Sequence, residues 1–351
     1  MVGALPAPAL GDLSALTRHS ALISTRKATC MLQQQQPLEP GGTALTVSRP
    51  ARRSTARLSR YFWLRRVGIP YLFLVPFLLL FCLFFILPLG YALGISLFAD
   101  RLVGGTVFVG LQNYAQAFQD AAFWEGTRRV LLFMVVQVPI MLGLALIFAL
   151  LLESGVARLR TLFRMSFFLP YAIPSVVSAL LWGYLYSPGF GPLTQAANDF
   201  HFPAPGFLTD TGMLPAIGNI VTWQYTGYNM IIMYAALQAI PPDLYEAAVV
   251  DGATGWEVAR YIKIPLITPA IILTCVFSII GSLQLFTEPA IMNTLAPTVI
   301  QDHYTPNLYA YTLAFTNQQY NYSAAISFTL GAIVFVCSYI FMFATNRRRL
   351  R

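Results

Sequence analysis

The stretch VLLFMVVQVPIMLGLALIFALLL, residues 130–152, is apolar over 23 consecutive positions apart from one glutamine and carries no charge. The hydrocarbon core of a bilayer is spanned by roughly 20 apolar residues in a helix. The stretch therefore predicts a membrane-spanning helix, and it sets the class of fold for the chain around it.

Five further apolar runs accompany this one, at about residues 70–98, 165–186, 215–240, 266–286 and 324–344. The whole chain of 351 residues is 57% hydrophobic and 10% charged, whereas soluble domains have about 25% charged residues. We therefore predict an all-α integral membrane protein with six transmembrane helices. Prolines 76, 88, 139 and 174 are expected to kink these helices, which packed membrane helices tolerate.

Residues 1–60 have a different composition, rich in Pro, Ala, Ser, Gln and Arg without hydrophobic periodicity. Such a segment cannot bury enough apolar surface to offset its ordering entropy. We expect a disordered tail over 1–60 and a six-span domain over 61–351.

The basic residues are distributed unevenly about the predicted spans. Nineteen of the 22 Lys and Arg residues fall on the side that holds both termini and the 153–164 and 241–265 loops. Because cytoplasmic loops carry the excess of Lys and Arg, both termini and the 241–265 loop are predicted to be cytoplasmic. The net charge of +8 is thereby explained as an orientation signal in a lipid bilayer, with no nucleic-acid partner.

Several kinds of chemistry lack their sequence signals. Neither lysine, Lys27 or Lys263, lies in a phosphate-binding P-loop, and the three histidines lack metal-ligand spacing. The four cysteines form no close pair, so they are interpreted as small hydrophobic residues. We expect no catalytic residues, no metal and no cofactor in this chain, and a membrane enzyme is disfavoured.

Polar side chains concentrate in the fourth and fifth spans. The candidates are Gln224, Tyr225, Tyr228 and Asn229 in span four, with Ser278, Ser282 and Gln284 in span five. Residues four apart lie on one face of a helix, so Gln224 and Tyr228 share a face. These groups either join helices by hydrogen bonds or line a path for a neutral, hydroxyl-rich solute.

The predicted cytoplasmic loop 241–265 is polar and long enough to fold. Pro241, Pro242 and Asp243 favour the start of a short helix, and Gly252 permits its end. The residues after Gly252 are compatible with a second short helix before Pro265. The small apolar face of the first helix suits docking into a partner's groove, although a folded loop without a partner is the alternative.

The loop also carries a specific motif. Glu246-Ala247-Ala248, three residues, Gly252, nine residues, Ile262, then Ile264-Pro265 resembles the EAA motif of membrane subunits of binding-protein-dependent ABC importers. The segment LQAIPPDLYEAAVVDGA, residues 237–253, is similar to the carbohydrate branch, which includes maltose-type permeases. Two departures are the Ile264-Pro265 ending in place of Leu-Pro, and MNTLAPTVIQDHY where family members often have Gly-Gly-Pro.

The resemblance implies the permease subunit of an ATP-driven importer in the bacterial plasma (inner) membrane, which forms the path for a sugar. Its expected partners are a second homologous permease subunit, an ATPase dimer that binds ATP and Mg, and an extracytoplasmic solute-binding protein. A cytoplasmic coupling helix between spans four and five would contact the ATPase, with Glu246 pairing with a charge there or capping the helix. The implied coupling residues are Glu246, Ala247, Ala248, Asp251, Gly252, Ile262 and Pro265. Tyr228 falls at the family's sugar-contacting place in span four.

Two alternatives remain from the sequence. An ion-coupled secondary carrier would also be a polar-lined helical bundle, but the spans lack the ionisable groups that proton-driven carriers use. Within the importer class, a non-sugar solute such as a polyol phosphate is the other alternative.

Overall fold

The structure is a computed structural model, and it describes residues 71–101, 104–154, 159–201 and 206–349. The fold is that of the unit Phe73–Arg351. The predicted tail, residues 1–60, lies outside the described residues.

Thirteen helices and one hairpin occur in the described part of the chain. The helices are α1 (Tyr71–Ile95), α2 (Gln112–Gln119), α3 (Ala121–Glu153), α4 (Arg160–Ala172), α5 (Ser175–Tyr186), α6 (Pro192–Asp199), α7 (Met213–Gln238), α8 (Asp243–Val250), α9 (Gly255–Val258), α10 (Ile264–Leu283), α11 (Thr287–Leu295), α12 (Pro306–Tyr311) and α13 (Tyr320–Arg349). Wider, π-helical turns occur at Cys82–Ile86 within α1, at Ala259–Lys263 before α10 and at Thr312–Thr316 after α12.

Four helical stretches are long and apolar enough to cross a membrane: Tyr71–Ile95, Ala121–Glu153, Gly255–Leu295 and Tyr320–Thr345. The pair α4 and α5 would add a fifth if it forms one broken span. Helix α7 has 26 residues and is long enough to be a sixth span. Its polar residues make it less apolar than the four long stretches. The count of six spans therefore stays a prediction.

The run 165–186, predicted as one kinked helix, contains two helices that meet at 97°. Proline disfavours the helical conformation of the residue before it. Ile173, directly before Pro174, is accordingly extended, at φ −80° and ψ 128°. The proline thus ends α4 and turns the chain sharply into α5.

A two-stranded antiparallel hairpin makes the all-α prediction incomplete. Strand β1 (Phe98–Arg101) pairs with β2 (Gly105–Phe108), with Phe98 opposite Phe108. The two rings meet edge to face at 5.3 Å. Apolar and β-branched residues beside Gly104 and Gly105, both at positive φ, favour this local hairpin outside the apolar runs.

Helix α7 is packed against α3, α4 and α10. At its interface with α3, Met230 and Met233 are fully buried against a face that includes Met141 and Ala145. Its approach to α4 is closer still, because a Cβ on Gly227 would lie 1.7 Å from the Phe167 carbonyl oxygen. Small residues allow such close approach of helix backbones in membranes.

We predict that Gly227→Ala forces α4 and α7 apart. Overpacking of this kind costs about 1–3 kcal/mol, or roughly 3–10 °C in the apparent Tm of the detergent-purified chain. The matched control is Gly218→Ala in the same helix, where the added Cβ meets only Phe133 at an ordinary 3.6 Å. Equal apparent Tm values for the two variants would contradict the close approach.

Candidate translocation cavity and coupling loop

A cavity of about 290 Å³ lies between α7 and α10, beneath the start of α11. It collects six of the seven residues that the sequence nominated for a solute path. These six are Tyr225, Tyr228, Asn229, Ser278, Ser282 and Gln284. The remaining lining residues are Gln137, Met141, Ser175, Val221, Phe277, Gly281, Leu285, Phe286, Thr287 and Glu288.

Three tyrosines form an aromatic group beside the cavity. Tyr228 stacks on Tyr171 with ring centroids 4.6 Å apart, and Tyr171 meets Tyr225 edge to face at 5.8 Å. Tyr171 comes from the end of α4, just before the bend, so the bend positions one ring of the group. A half-buried tyrosine ring at a cavity offers both a flat apolar face and a hydroxyl.

An amide and a hydroxyl connect the helices that wall the cavity. Ser282 Oγ donates to Gln137 Oε1 at 3.3 Å, and Gln137 Nε2 lies 3.4 Å from Thr222 Oγ1. Asn229 Nδ2 donates to the Tyr225 carbonyl at 2.9 Å within α7. These contacts join α3, α7 and α10. The side-chain oxygen of Asn229, Oδ1, takes part in none of them and stays available to the cavity.

Gln224, the seventh candidate, does not line this cavity. Its Nε2 donates to the Ile173 carbonyl at 3.0 Å and contacts Ser175 Oγ at 3.3 Å. The break between α4 and α5 interrupts the helical hydrogen-bond pattern there, and Gln224 supplies a donor to it. Gln224 therefore braces the bend, although it shares a helix with Tyr228.

Two of the cavity residues that the sequence did not nominate are Gln137 and Glu288. Gln137 is the one amide in the 130–152 run. An isolated polar residue in an apolar span is the sequence signal by which it could have been found. Glu288 lies just beyond the predicted span 266–286, and it is 5% exposed and lines the cavity. Because Glu288 follows the apolar run 266–286, hydropathy gives no signal that it lines a cavity.

The short helix α8 carries the EAA residues, and it ends in a defined motif. The Gly252 amide donates to the Val249 carbonyl at 3.0 Å, and the Ala253 amide donates to the Ala248 carbonyl at 2.9 Å. This pair of bonds is a Schellman motif, which requires a left-handed residue, and Gly252 has φ +86°. Gly252 sets the turn, as the sequence predicted.

After the turn, α9 begins at a capping box. Thr254 Oγ1 accepts from the Glu257 amide, and the Glu257 carboxylate accepts from the Thr254 amide at 2.7 Å. The two ends of the turn are thus fixed by local bonds. The loop is a helix–turn–helix, in agreement with the sequence-based expectation for 241–265.

The outward face of this loop exposes apolar and charged groups together. Val249, Val250, Trp256 and Tyr261 are 62%, 85%, 67% and 68% exposed, respectively. Glu246 is also exposed and forms no ion pair with any described residue. Of the other coupling candidates, Ala247, Asp251, Gly252 and Pro265 are exposed, while Ala248 and Ile262 are half-buried.

Tyr245 connects α8 to three helices of the bundle. Its hydroxyl donates to the Leu237 carbonyl of α7 at 3.4 Å, and its ring lies 4.6 Å from Lys263 Nζ at the start of α10. Lys263 in turn forms an ion pair with Glu153, the last residue of α3. Burial, and then the Glu153 carboxylate, raise the pKa of Tyr245, so its hydroxyl remains a donor at neutral pH. We call Tyr245, Lys263 and Glu153 the loop junction.

A bundle of apolar helices around a polar cavity, with a folded loop joining two walls of that cavity, defines a membrane transport protein. Residues 141–350 match the family described as the binding-protein-dependent transport system inner membrane component. The chain belongs to this family, whose members are multi-pass permease subunits of importers.

Comparison with individual proteins agrees with this assignment. The lactose transport system permease protein LacF of Rhizobium radiobacter is 33% identical over 301 residues, which cover 84% of this chain and 99% of LacF. A crystal structure of a bacterial ABC transporter that imports the acidic polysaccharide alginate contains a chain with TM-score 0.71 and 21% identity, covering 83% of this chain and 99% of that one. A second structure, of the alginate transporter with an alginate pentasaccharide-bound periplasmic protein, gives TM-score 0.70 at 22% identity, covering 82% and 97%. The prediction of a carbohydrate-branch permease is confirmed.

We predict that Gly252→Ala destabilises the end of α8. The position has open space around it, so the cost arises from the left-handed backbone alone, about 1–2 kcal/mol. Amide hydrogen exchange over residues 243–253 should accelerate by about fivefold or more.

The control is Gly255→Ala, which also adds a Cβ into open space but at an ordinary backbone conformation. Gly252→Asn should exchange more slowly than Gly252→Ala, because Asn tolerates the left-handed region. Unchanged exchange in Gly252→Ala would show that the Schellman motif does not hold this turn.

Proposed function

We propose that this chain forms the translocation path for a sugar, a di- or oligosaccharide, in an ATP-driven importer. The path includes the cavity between α7 and α10. The helix α8 couples the path to a separate ATPase dimer that binds ATP and Mg, so the chain itself has no ATPase site. A second permease subunit and an extracytoplasmic solute-binding protein complete the assembly.

One observation carries this proposal: the loop that bears the EAA motif joins the two helices that wall the cavity. Helix α7, which carries Tyr228, leads into α8. Helix α10, which carries Ser278 and Ser282, leaves the loop after Lys263. A displacement of α8 therefore reaches both walls through continuous chain.

The loop junction supports coupling by a rigid connection. Lys263 and Glu153 are 14% and 11% exposed, so salt screens their attraction less than that of a surface pair. Removing one partner leaves an uncompensated, largely buried charge. Tyr245 links this pair to α8, so the loop, α3 and α10 move together.

The exposed face of α8 supports contact with a partner. Val249 and Val250 are apolar and open to solvent, and Glu246 has no ionic partner among the described residues. A docked ATPase subunit would cover the valines and supply a basic group to Glu246. The positive-inside distribution supports placing this face, and both termini, in the cytoplasm.

The similarity to LacF, a lactose transport system permease protein, supports a sugar as the solute. The cavity is consistent with one, because sugars bind to amides, hydroxyls and the flat faces of aromatic rings. The alternative, an ion-coupled carrier, would transport sugar without an ATPase. An uptake assay with and without ATP therefore distinguishes the carrier from the importer.

In proteoliposomes that hold this chain with its partner permease, ATPase and binding protein, we predict ATP-dependent uptake of radiolabelled di- or oligosaccharides. Tyr228→Ala removes the stacking surface and should lower the uptake rate about tenfold, with basal ATP hydrolysis retained. The control is Tyr339→Ala, a 53% exposed tyrosine on α13 that does not line the cavity.

Sugar uptake by this chain alone, without ATP, would favour the carrier and refute the importer. Uptake by Tyr228→Ala at the rate of the control variant would remove Tyr228 from the path.

A charge reversal tests the loop junction. Glu153→Lys and Lys263→Glu each place like charges together and should lower the sugar transported per ATP hydrolysed by about fivefold or more. The double exchange restores opposite charges and should recover at least about half of the coupling, since the effects of two substitutions at residues in direct contact are not additive.

The matched control is Arg260→Glu, an exposed cation three residues before Lys263 whose contact is with the Tyr261 ring. It should retain normal coupling. Single reversals with normal coupling, or a double exchange no better than the single ones, would argue against a mechanical role for the pair.

A further inference from the structure

Glu288 is the one acidic side chain among the residues that line the cavity. It is the second residue of α11 and is 5% exposed. No Lys, Arg or His lines the cavity with it, and no described residue forms an ion pair with it. The cavity wall thus presents a carboxylate without a compensating cation from this chain.

Two features act on the charge of Glu288 in opposite directions. Burial disfavours the ionised form of the carboxyl, whereas the positive N-terminal end of the nine-residue helix α11, at whose second position Glu288 lies, favours it. The helix end supplies no cation that would neutralise a carboxylate, so the oxygens of Glu288 retain capacity to accept hydrogen bonds from a solute in the cavity.

The neighbours of Glu288 complement this charge with neutral groups. Thr287, Gln284 and Ser282 supply hydroxyl and amide groups at the same cavity, and the Tyr225 hydroxyl is close enough to interact electrostatically with the carboxylate. A carboxylate accepts from two adjacent hydroxyls at once and has no proton to donate. Hydroxyl-rich neutral solutes meet this requirement, whereas anions add a second negative charge at short range.

The end of α10 borders a second cavity. Gln284 and Phe286 line both this cavity and a second, more open cavity of about 500 Å³ bounded by Tyr311 and Phe315. Glu288 follows Phe286 by two residues, so the carboxyl lies in the chain segment that borders both cavities.

We propose that Glu288 is a charge filter that admits neutral, hydroxyl-bearing sugars to the path and rejects sugars bearing carboxylate or phosphate groups. The inference rests on the proposed function and narrows the substrate class to neutral sugars. With such a filter the chain would not import an acidic polysaccharide, and a polyol phosphate is excluded as its solute.

The test measures the cavity's charge preference directly. The chain, with its native cysteines replaced and Ser278→Cys introduced, is assembled with its partners in membrane vesicles. Ser278 is half-buried and lines the cavity. The rates of modification by a cationic and an anionic methanethiosulfonate reagent are compared, each normalised to Thr294→Cys, an exposed position outside the cavity.

We expect the normalised cationic rate to exceed the anionic rate by about tenfold or more. Glu288→Gln, which keeps the shape and removes the charge, should bring the ratio close to one, and Glu288→Asp should preserve it. A saturating digalacturonate should leave modification unchanged, since the filter rejects it.

A ratio near one in the parent, an unchanged ratio in Glu288→Gln, or protection by digalacturonate would each overturn the filter. Gel filtration of each variant confirms that the assembly is intact, and Glu288→Asp keeps the test decisive if Glu288→Gln fails to assemble. The readout needs no transport, so failure of ATP-dependent uptake and failure of the filter are separate results.

Discussion

The rest of the structure depends on the continuity between the coupling loop and the two helices that wall the cavity. Helix α7 enters the loop and α10 leaves it, and the loop junction fixes the loop against α3. Each contact is modest alone: one tyrosine hydroxyl, one cation over a ring and one ion pair. Together they tie α8, through Tyr245, to α7 and to the start of α10 and, through Lys263, to the end of α3.

The cavity lies beside closely packed helices and is lined in part by polar side chains. Gly227 lets α7 approach α4 to backbone contact, and Pro174 turns the chain so that Tyr171 reaches Tyr228. Gln137 of α3 hydrogen-bonds to polar groups of both α7 and α10. The other polar lining groups, with the Glu288 carboxyl, give the cavity hydrogen-bonding capacity for a solute.

The sequence predicted the long helices well, because the bilayer requires apolar length and leaves backbone groups to be paired within the helix. It also predicted the turn at Gly252, since the motif is local. It predicted a kink at Pro174 but not an angle of 97°, and it missed the hairpin near Gly104 and the burial of Glu288. These features depend on which helices pack together, and hydropathy along a chain does not encode lateral packing. The same limit explains Gln224, whose helical face was predicted but whose contact with the α4–α5 bend was not.

The central claim is that the exposed face of α8 receives the movement of an ATP-hydrolysing partner. The most direct measurement replaces Ala247, exposed on that face, with a photo-crosslinking amino acid in cells that express the whole assembly. Irradiation followed by mass spectrometry should yield a crosslink to a P-loop ATPase subunit, and a crosslinker at Leu193, on α6 far along the chain, should not. Crosslinks from Ala247 to lipid alone, or to proteins without a nucleotide-binding site, would contradict the account.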